Sequence, residues 1–200
     1  MTKFLITPSL LSSFAWYLSD ESKDSRKKFL NTLGKVKTPT TPAQQKGLDF
    51  EARINEFCGQ FISGIYEYDI IARDIANIVK GGLWQQACKK DLQVGDKEFL
   101  LYGKMDVVKR DTIYDIKFTS NYELGKFLNS AQHLIYLYCT GLPKFQYLIS
   151  DGKDYWIEDY HNHADIENEI KNKITYFLSY LKNDQEAKEL FETKWGAKND

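Results

Sequence analysis

The sequence predicts an α+β fold, a largely antiparallel sheet flanked by helices, and three observations carry that reading. Residues 98–118 alternate in character with period two about the polar turn Lys109 to Thr112, as two paired strands do. Apolar residues before about residue 80 and after residue 120 recur instead at helical spacing. Hydrophobic residues make up 42% and aromatic residues 14% of the 200 positions, enough to fill a substantial core. A single domain over residues 1–200 is expected, with helices at its N-terminal end and a helical C-terminal tail.

Thr7-Pro8 reads as an N-cap followed by the first helical position, and Leu10, Leu11, Phe14, Tyr17 and Leu18 then recur at helical spacing. After a charged stretch over 20–28, a short helix near Lys27 to Leu33 is expected to stop at Gly34. Pro39 and Pro42 among threonines mark a loop. From Ala43 to about Ser63 a longer helix presents Phe50, Ile54, Phe57, Cys58 and Phe61 on one face, with Glu51 at the border of that face. Tyr68 to Val79 forms another helix, ended by Gly81-Gly82. Leu83 to Cys88 begins the β region, and the turn Gly95-Asp96 leads into the hairpin, giving about three successive antiparallel strands.

Ser120-Asn121-Tyr122-Glu123 has the form of a capping box opening a helix whose packing residues are Leu128, Ala131, Leu134, Ile135, Tyr138 and Cys139. Phe145–Ser150 and Tyr155–Tyr160 read as two strands about the turn Asp151-Gly152-Lys153. A last long helix covers about Asp165 to Lys182, and the Glu/Lys-rich tail after Asn183 is helical before it frays.

The hairpin carries the chemistry. With Arg110-Asp111 as the turn, Lys109 pairs with Thr112, Val108 with Ile113, and Asp106 falls opposite Asp115. Strand alternation then puts Asp106, Asp115 and Lys117 on one face. Facing positions lie roughly 4.5–5.5 Å apart at Cβ, where two carboxylates repel each other. A cation between them is the arrangement that relieves the repulsion, so the pair points to a metal site; the alternative is a solvated hairpin face on which the acids and lysines fall by chance. A loop of odd length would slip the register and separate the acids onto opposite faces.

The formal net charge of −1 excludes a strongly basic nucleic-acid binder, so contact with a polyanion must come from a local patch. Cys58, Cys88 and Cys139 are too few and too scattered for a disulfide framework or a zinc site and are expected as buried free thiols. No signal-peptide apolar region forms before Thr7-Pro8, and no stretch is long and apolar enough to span a bilayer. A soluble, cytoplasmic protein with no membrane partner is expected.

Four local motifs, in this order, resemble the PD-(D/E)XK nuclease superfamily, most closely its RecB-like and phage exonuclease-like branch. Gly47-Leu48-Asp49-Phe50-Glu51 is similar to its helical motif, in which a glycine precedes an acid by four residues. Gly103-Lys104-Met105-Asp106 is similar to its glycine-x-x-aspartate strand, and Asp115-Ile116-Lys117 to the D-x-K that names it. Gln132-His133-Leu134-Ile135-Tyr136 is similar to the Q-x-x-x-Y helix of the RecB-like branch, and Pro8 to Ser13 to its serine-leucine opening. The resemblance spans the chain from the first helix to about Ile149. Asp115 stands where many members carry Glu, one methylene shorter.

The resemblance implies a restriction-endonuclease-like core, with a mixed sheet, and metal-dependent cleavage of DNA phosphodiesters in recombination, repair or phage DNA processing. It implies Mg2+ or Mn2+ held by Glu51, Asp106, Asp115 and the carbonyl of Ile116, since hard cations favour oxygen ligands. Lys117 would orient or deprotonate the attacking water or stabilise charge on the phosphate. Gln132 and Tyr136, four residues apart on one helix face, would contact phosphate or brace Lys117. Lys104, with Lys109, Arg110 and Lys126, would form a basic rim for DNA. His133 points off the Gln132 face and reads as structural, and His161-Asn162-His163 as a solvated turn. Three cysteines cannot supply the four ligands of an iron–sulfur cluster. The competing reading is a non-catalytic DNA-binding or inhibitor protein on the same fold. DNA is the implied partner, with self-association or a recombination or repair protein as further candidates.

Overall fold

Three strands in succession, β2 (Leu83–Val94), β3 (Lys97–Lys109) and β4 (Thr112–Phe118), form the centre of the computed structural model, which describes residues 3–20, 22–59 and 64–196. β2 runs antiparallel to β3 along nearly its whole length. The β3–β4 register is the expected one, with Lys109 opposite Thr112, Val108 opposite Ile113 and Val107 opposite Tyr114. Arg110 takes a left-handed φ of 55° in the turn. The pairing ends at Val107–Tyr114, one step before Asp106 and Asp115 would join it.

Parallel pairing completes a mixed, six-stranded sheet. A short strand that the sequence pattern does not reveal, β1 (Phe4–Ile6), lies parallel to β3 from Phe99 to Leu101. β5 (Lys144–Ser150) lies parallel to β4, and β6 (Tyr155–His161) closes the sheet antiparallel to β5. β1 and β4 therefore pair with separate stretches of β3. Between them Tyr102 to Asp106 has no strand partner other than β2, which leaves a seam in the sheet.

Helices cover both faces. α1 (Pro8–Ser19), α2 (Lys23–Leu33), α5 (Ala131–Thr140), α6 (Ile166–Asn183) and α7 (Gln185–Lys194) pack on one side around Phe14, Phe29, Tyr147 and Phe177. α3 (Pro42–Cys58) and α4 (Asp69–Val79) pack on the other around Phe50, Ile54, Ile75, Val107 and Leu148. Buried Arg53 clamps these two helices by reaching Asp69 and Glu56 at 2.7 and 2.6 Å. Thr7 caps α1 as expected, and Thr41 with Gln44 forms a capping box at α3.

Some expected boundaries move. α2 begins four residues before Lys27. The 120–123 capping box does not open a helix: the chain turns through Gly125 at φ 82°, and Ser130 caps α5 instead. Glu158 of β6 accepts from Tyr122 Oη and the Gly125 amide, which holds this segment as a loop, and Leu128 is exposed rather than packed. Phe61 and Ser63 lie outside the described residues. The three cysteines are free, but only Cys88 is fully buried. Among the described residues no helix is long and apolar enough to cross a membrane.

Candidate functional site

The seam in the sheet is where the residues of the four motifs meet. β3 approaches it with its residues alternating in the usual way, and Phe99, Leu101 and Met105 all join the core on the α5 side. Val107, of the same parity, joins the opposite core, and Val108 packs on the α5 side. The alternation therefore shifts by one across Asp106. On the neighbouring strand the β2–β3 register passes over Asp106 and Gln85, and Gln85 holds a left-handed φ of 54°. A backbone conformation this uncommon in a non-glycine residue persists only where surrounding contacts enforce it.

Freed from the β4 ladder, Asp106 turns its carboxylate to β4 and accepts a hydrogen bond from the Ile116 amide at 2.8 Å. Asp115 is 2% exposed. Its Oδ1 accepts from Gln132 Nε2 of α5 at 2.5 Å, and its Oδ2 faces the Lys117 ammonium at 2.5 Å. That second contact is an ion pair, and Oδ2 has no other polar partner among the described residues. Glu51, on α3, is reached by Gln85 Nε2 at 2.6 Å. The expected acids and lysine thus come from three elements to one place, although Asp106 and Asp115 are not a backbone-paired couple.

Electrostatics join them. Burial, then the charges of Asp115 and Glu51, push the Asp106 carboxyl up to about 8, against the opposing pull of the Ile116 amide and Lys117. Burial and Asp115 raise Glu51 as well, while Gln85, Lys117 and Lys104 draw it back. Burial disfavours the charge on Lys117, but Asp115, Asp106 and Glu51 together outweigh it and hold the ammonium above the ordinary lysine range. Lys117 also lies 5.7 Å from the centre of the Tyr147 ring on β5. Among the described residues no three His, Cys, Asp or Glu side chains are gathered closely enough to hold an ion. The carboxylates repel one another, and each is held by a protein donor.

Within the chain, both residues of the Q-x-x-x-Y pair are hydrogen-bonded to the two strands that border the seam. Gln132 braces Asp115 rather than Lys117. Tyr136 is buried and donates from its hydroxyl to the Lys104 carbonyl at 2.8 Å, so it supports the unpaired stretch of β3. A Cβ on Gly103 would lie 2.2 Å from Tyr136 Cε1, which accounts for glycine there. Lys104 itself is exposed beside the site. Lys109 of the expected basic rim donates its ammonium to the Ile78 carbonyl near the end of α4. His133 is structural as expected, stacked on Tyr160 with ring centres 4.0 Å apart, and burial depresses it to about 4. His163 stands 3.5 Å from Glu169 on the surface. Gln85 and Tyr147 were not foreseen: one is an ordinary strand glutamine and the other an ordinary core aromatic, and only the fold brings them to the acids.

Three clefts meet at Lys117. One follows the seam, with a volume of about 480 Å³, between Ser9 and Ser12 of α1 and Lys104, Gln132 and Tyr136. A second, about 690 Å³, runs along α3 past Gly47 and Glu51. A third, about 580 Å³, lies between α1 and the 119–130 segment.

If Glu51 completes the site from α3, Glu51→Gln retains the oxygen that Gln85 binds and, because the carboxyl it replaces is raised by burial and Asp115, should not lower the melting temperature in EDTA. Divalent-ion affinity or turnover should fall about 10–100-fold, the range for residues that tune a metal site. Isothermal titration with Mn2+ beside a melting curve checks this. A destabilised variant with unchanged ion binding would make Glu51 a structural residue.

No protein-family model and no curated protein sequence matches the chain. Among solved structures it is similar to SSO0001, with a TM-score of 0.52 and 12% identity over 88% of this chain and 77% of that one. It also aligns with Rai1 of Scheffersomyces stipitis, at TM-score 0.37 and 14% identity over 92% of this chain and 62% of that one. A second Rai1 structure, in complex with (3'-NADP)+ and calcium ion, gives TM-score 0.33 and 16% identity over the same shares. The Rai1 scores are too low to establish a shared fold. The likeness to SSO0001 supports the arrangement of the mixed sheet and its helices and, at this identity, nothing finer.

Proposed function

We propose that the chain is a divalent-metal-dependent nuclease that hydrolyses DNA phosphodiester bonds. The observation that carries the reading is the set Asp106, Asp115 and Lys117 at the seam. The charge of buried Asp115 raises the cost of ionising half-buried Asp106, and the Lys117 ammonium stands beside them, 2.5 Å from Asp115 Oδ2. The chemistry of this donor set is what a hard cation prefers, carboxylate and carbonyl oxygens, and the acids would have to draw closer together than they stand here to share one. Asp106, Asp115, Glu51 and the Ile116 carbonyl are the groups that would hold it. A bound Mg2+ or Mn2+ supplies neutralisation of phosphate charge and a more acidic water.

The remaining work falls to the chain. Gln132 fixes the orientation of Asp115, and the Ile116 amide fixes that of Asp106. Lys117 is held above the ordinary lysine range and stays cationic at neutral pH, so it stabilises developing charge on the phosphate rather than accepting a proton. Lys104, exposed at the edge of the seam cleft, meets the DNA backbone.

The test is a time course on end-labelled linear DNA and on closed circular DNA with Mg2+, Mn2+ or EDTA. Cleavage with either ion and none in EDTA is expected, with linear DNA preferred in the exonuclease-like mode. DNA that remains intact under every condition while the protein still binds it would favour a non-catalytic binder.

A further inference from the structure

We infer that the cleft between α1 and the 119–130 segment binds a single DNA strand and leads it to Lys117. The inference rests on the proposed hydrolysis of DNA at that residue. The cleft, of about 580 Å³, is lined by the aromatic residues Phe14, Trp16, Phe127 and Tyr176 and by Lys117, Lys126 and Lys173, and among the described residues no Asp or Glu lines it. In a chain whose formal net charge is −1, a cleft in which Lys126 and Lys173 face no acid among the described residues selects for an anion.

Lys117 is paired with Asp115, whereas the charges of the other two lysines are not cancelled within the cleft wall. Lys126 donates to Thr119 Oγ1 and the Asn121 carbonyl, and Lys173 to the Asn129 carbonyl, all uncharged acceptors. Lys28 adds another cation, 4.7 Å from the centre of the Trp16 ring. The aromatic residues identify the kind of anion. Trp16 is 38% exposed and Tyr176 is 60% exposed, large rings left open to solvent beside cationic groups. Unstacked bases present flat faces to such rings while their phosphates meet lysines. A duplex keeps its base faces inside the stack and cannot use the rings. Lys117 and Gln132 line both this cleft and the seam cleft, so a strand lying in it reaches the lysine that stands against Asp115.

Fluorescence anisotropy with the full chain in EDTA tests this, using a labelled oligothymidylate and a labelled blunt-ended duplex. The single strand should bind more tightly than the duplex. Tyr176→Ala and Trp16→Ala should each weaken single-strand binding roughly tenfold, and Trp16→Phe should restore most of the loss. Changing Lys126 and Lys173 together to Gln should flatten the salt dependence by about 1.4 in log–log slope. Melting temperatures measured in the same buffer identify any variant that fails to fold. Tyr176, the more exposed ring, decides the matter if Trp16→Ala is one of them. Equal affinity for the two DNA forms, or single-strand binding unchanged in a folded Tyr176→Ala, overturns the inference. Because EDTA removes cleavage from the measurement, absent hydrolysis with aromatic-dependent binding would strike the nuclease reading alone. Intact hydrolysis with aromatic-independent binding would strike this inference alone.

Discussion

Asp106→Asn and Asp115→Asn are each expected to reduce Mg2+-dependent cleavage by at least about 10²–10³-fold, the scale of losing a preorganised electrostatic group. Their effects on stability in EDTA should differ, and the structure says how. Asp106 carries a carboxyl raised from its usual value of 3.8 to about 8, so the folded state holds a proton that the unfolded chain releases across that window. Stability from this group is complete at low pH and declines as pH rises from about 4 to 8. Asn cannot ionise, yet its carbonyl can still accept from the Ile116 amide, so Asp106→Asn should gain on wild type progressively across that range. Asp115→Asn removes the partner of Lys117 and should bring no such gain. Melting curves from pH 4 to 8 beside cleavage assays check both. Variants that cut at the wild-type rate while melting early would make the acids structural.

Lys117→Ala is expected to slow the chemical step by about 10²–10⁴-fold while leaving Mn2+ and DNA binding in place. Its ammonium lies against Asp115 Oδ2 at 2.5 Å and lines all three clefts that meet at the site, so it stands where substrate from any of them would arrive. A group that acts mainly in the transition state lowers kcat and kcat/KM together when removed. Removing the cation also takes away one influence that draws Asp106 and Glu51 toward ionisation, so a modest shift of ion binding to higher pH should accompany the loss. Single-turnover cleavage beside Mn2+ titration separates the two effects. Cleavage at the wild-type rate would leave Lys117 an ordinary strand lysine.

Much of this arrangement is legible in residue order because it rests on local rules. Period-two alternation and a two-residue turn fix the β3–β4 register, and helical spacing with Thr7 and Gly34 marks one end of each of the first two helices. What escapes the sequence depends on distant pairing. Phe4 to Ile6 is too short for a pattern and becomes a strand only because β3 offers it an edge. Asp106 is placed by a shift in alternation whose companion is Gln85, twenty-one residues earlier and left-handed for no reason visible in its neighbours. The Ser120 to Glu123 motif has the form of a cap, but its segment is held as a loop by Glu158, in a strand that follows much later. Gln132 and Tyr136 share a helix face as spacing predicts, yet which atoms they hold depends on how α5 lies across β3 and β4.

Pro8 does more than begin a helix. A strand that continued past Ile6 in the same register would set Thr7 beside Tyr102 and Pro8 beside Gly103. Proline has no amide hydrogen to offer a neighbouring strand, and its ring fixes φ near the helical value. The chain therefore leaves the sheet as α1 immediately after Ile6. One imino acid near the start of the chain thereby sets the width of the opening in which Asp106 lies. The cleft exists because hydrogen bonding along that edge of β3 is interrupted, and catalytic space is made here by withholding a strand rather than by adding a loop.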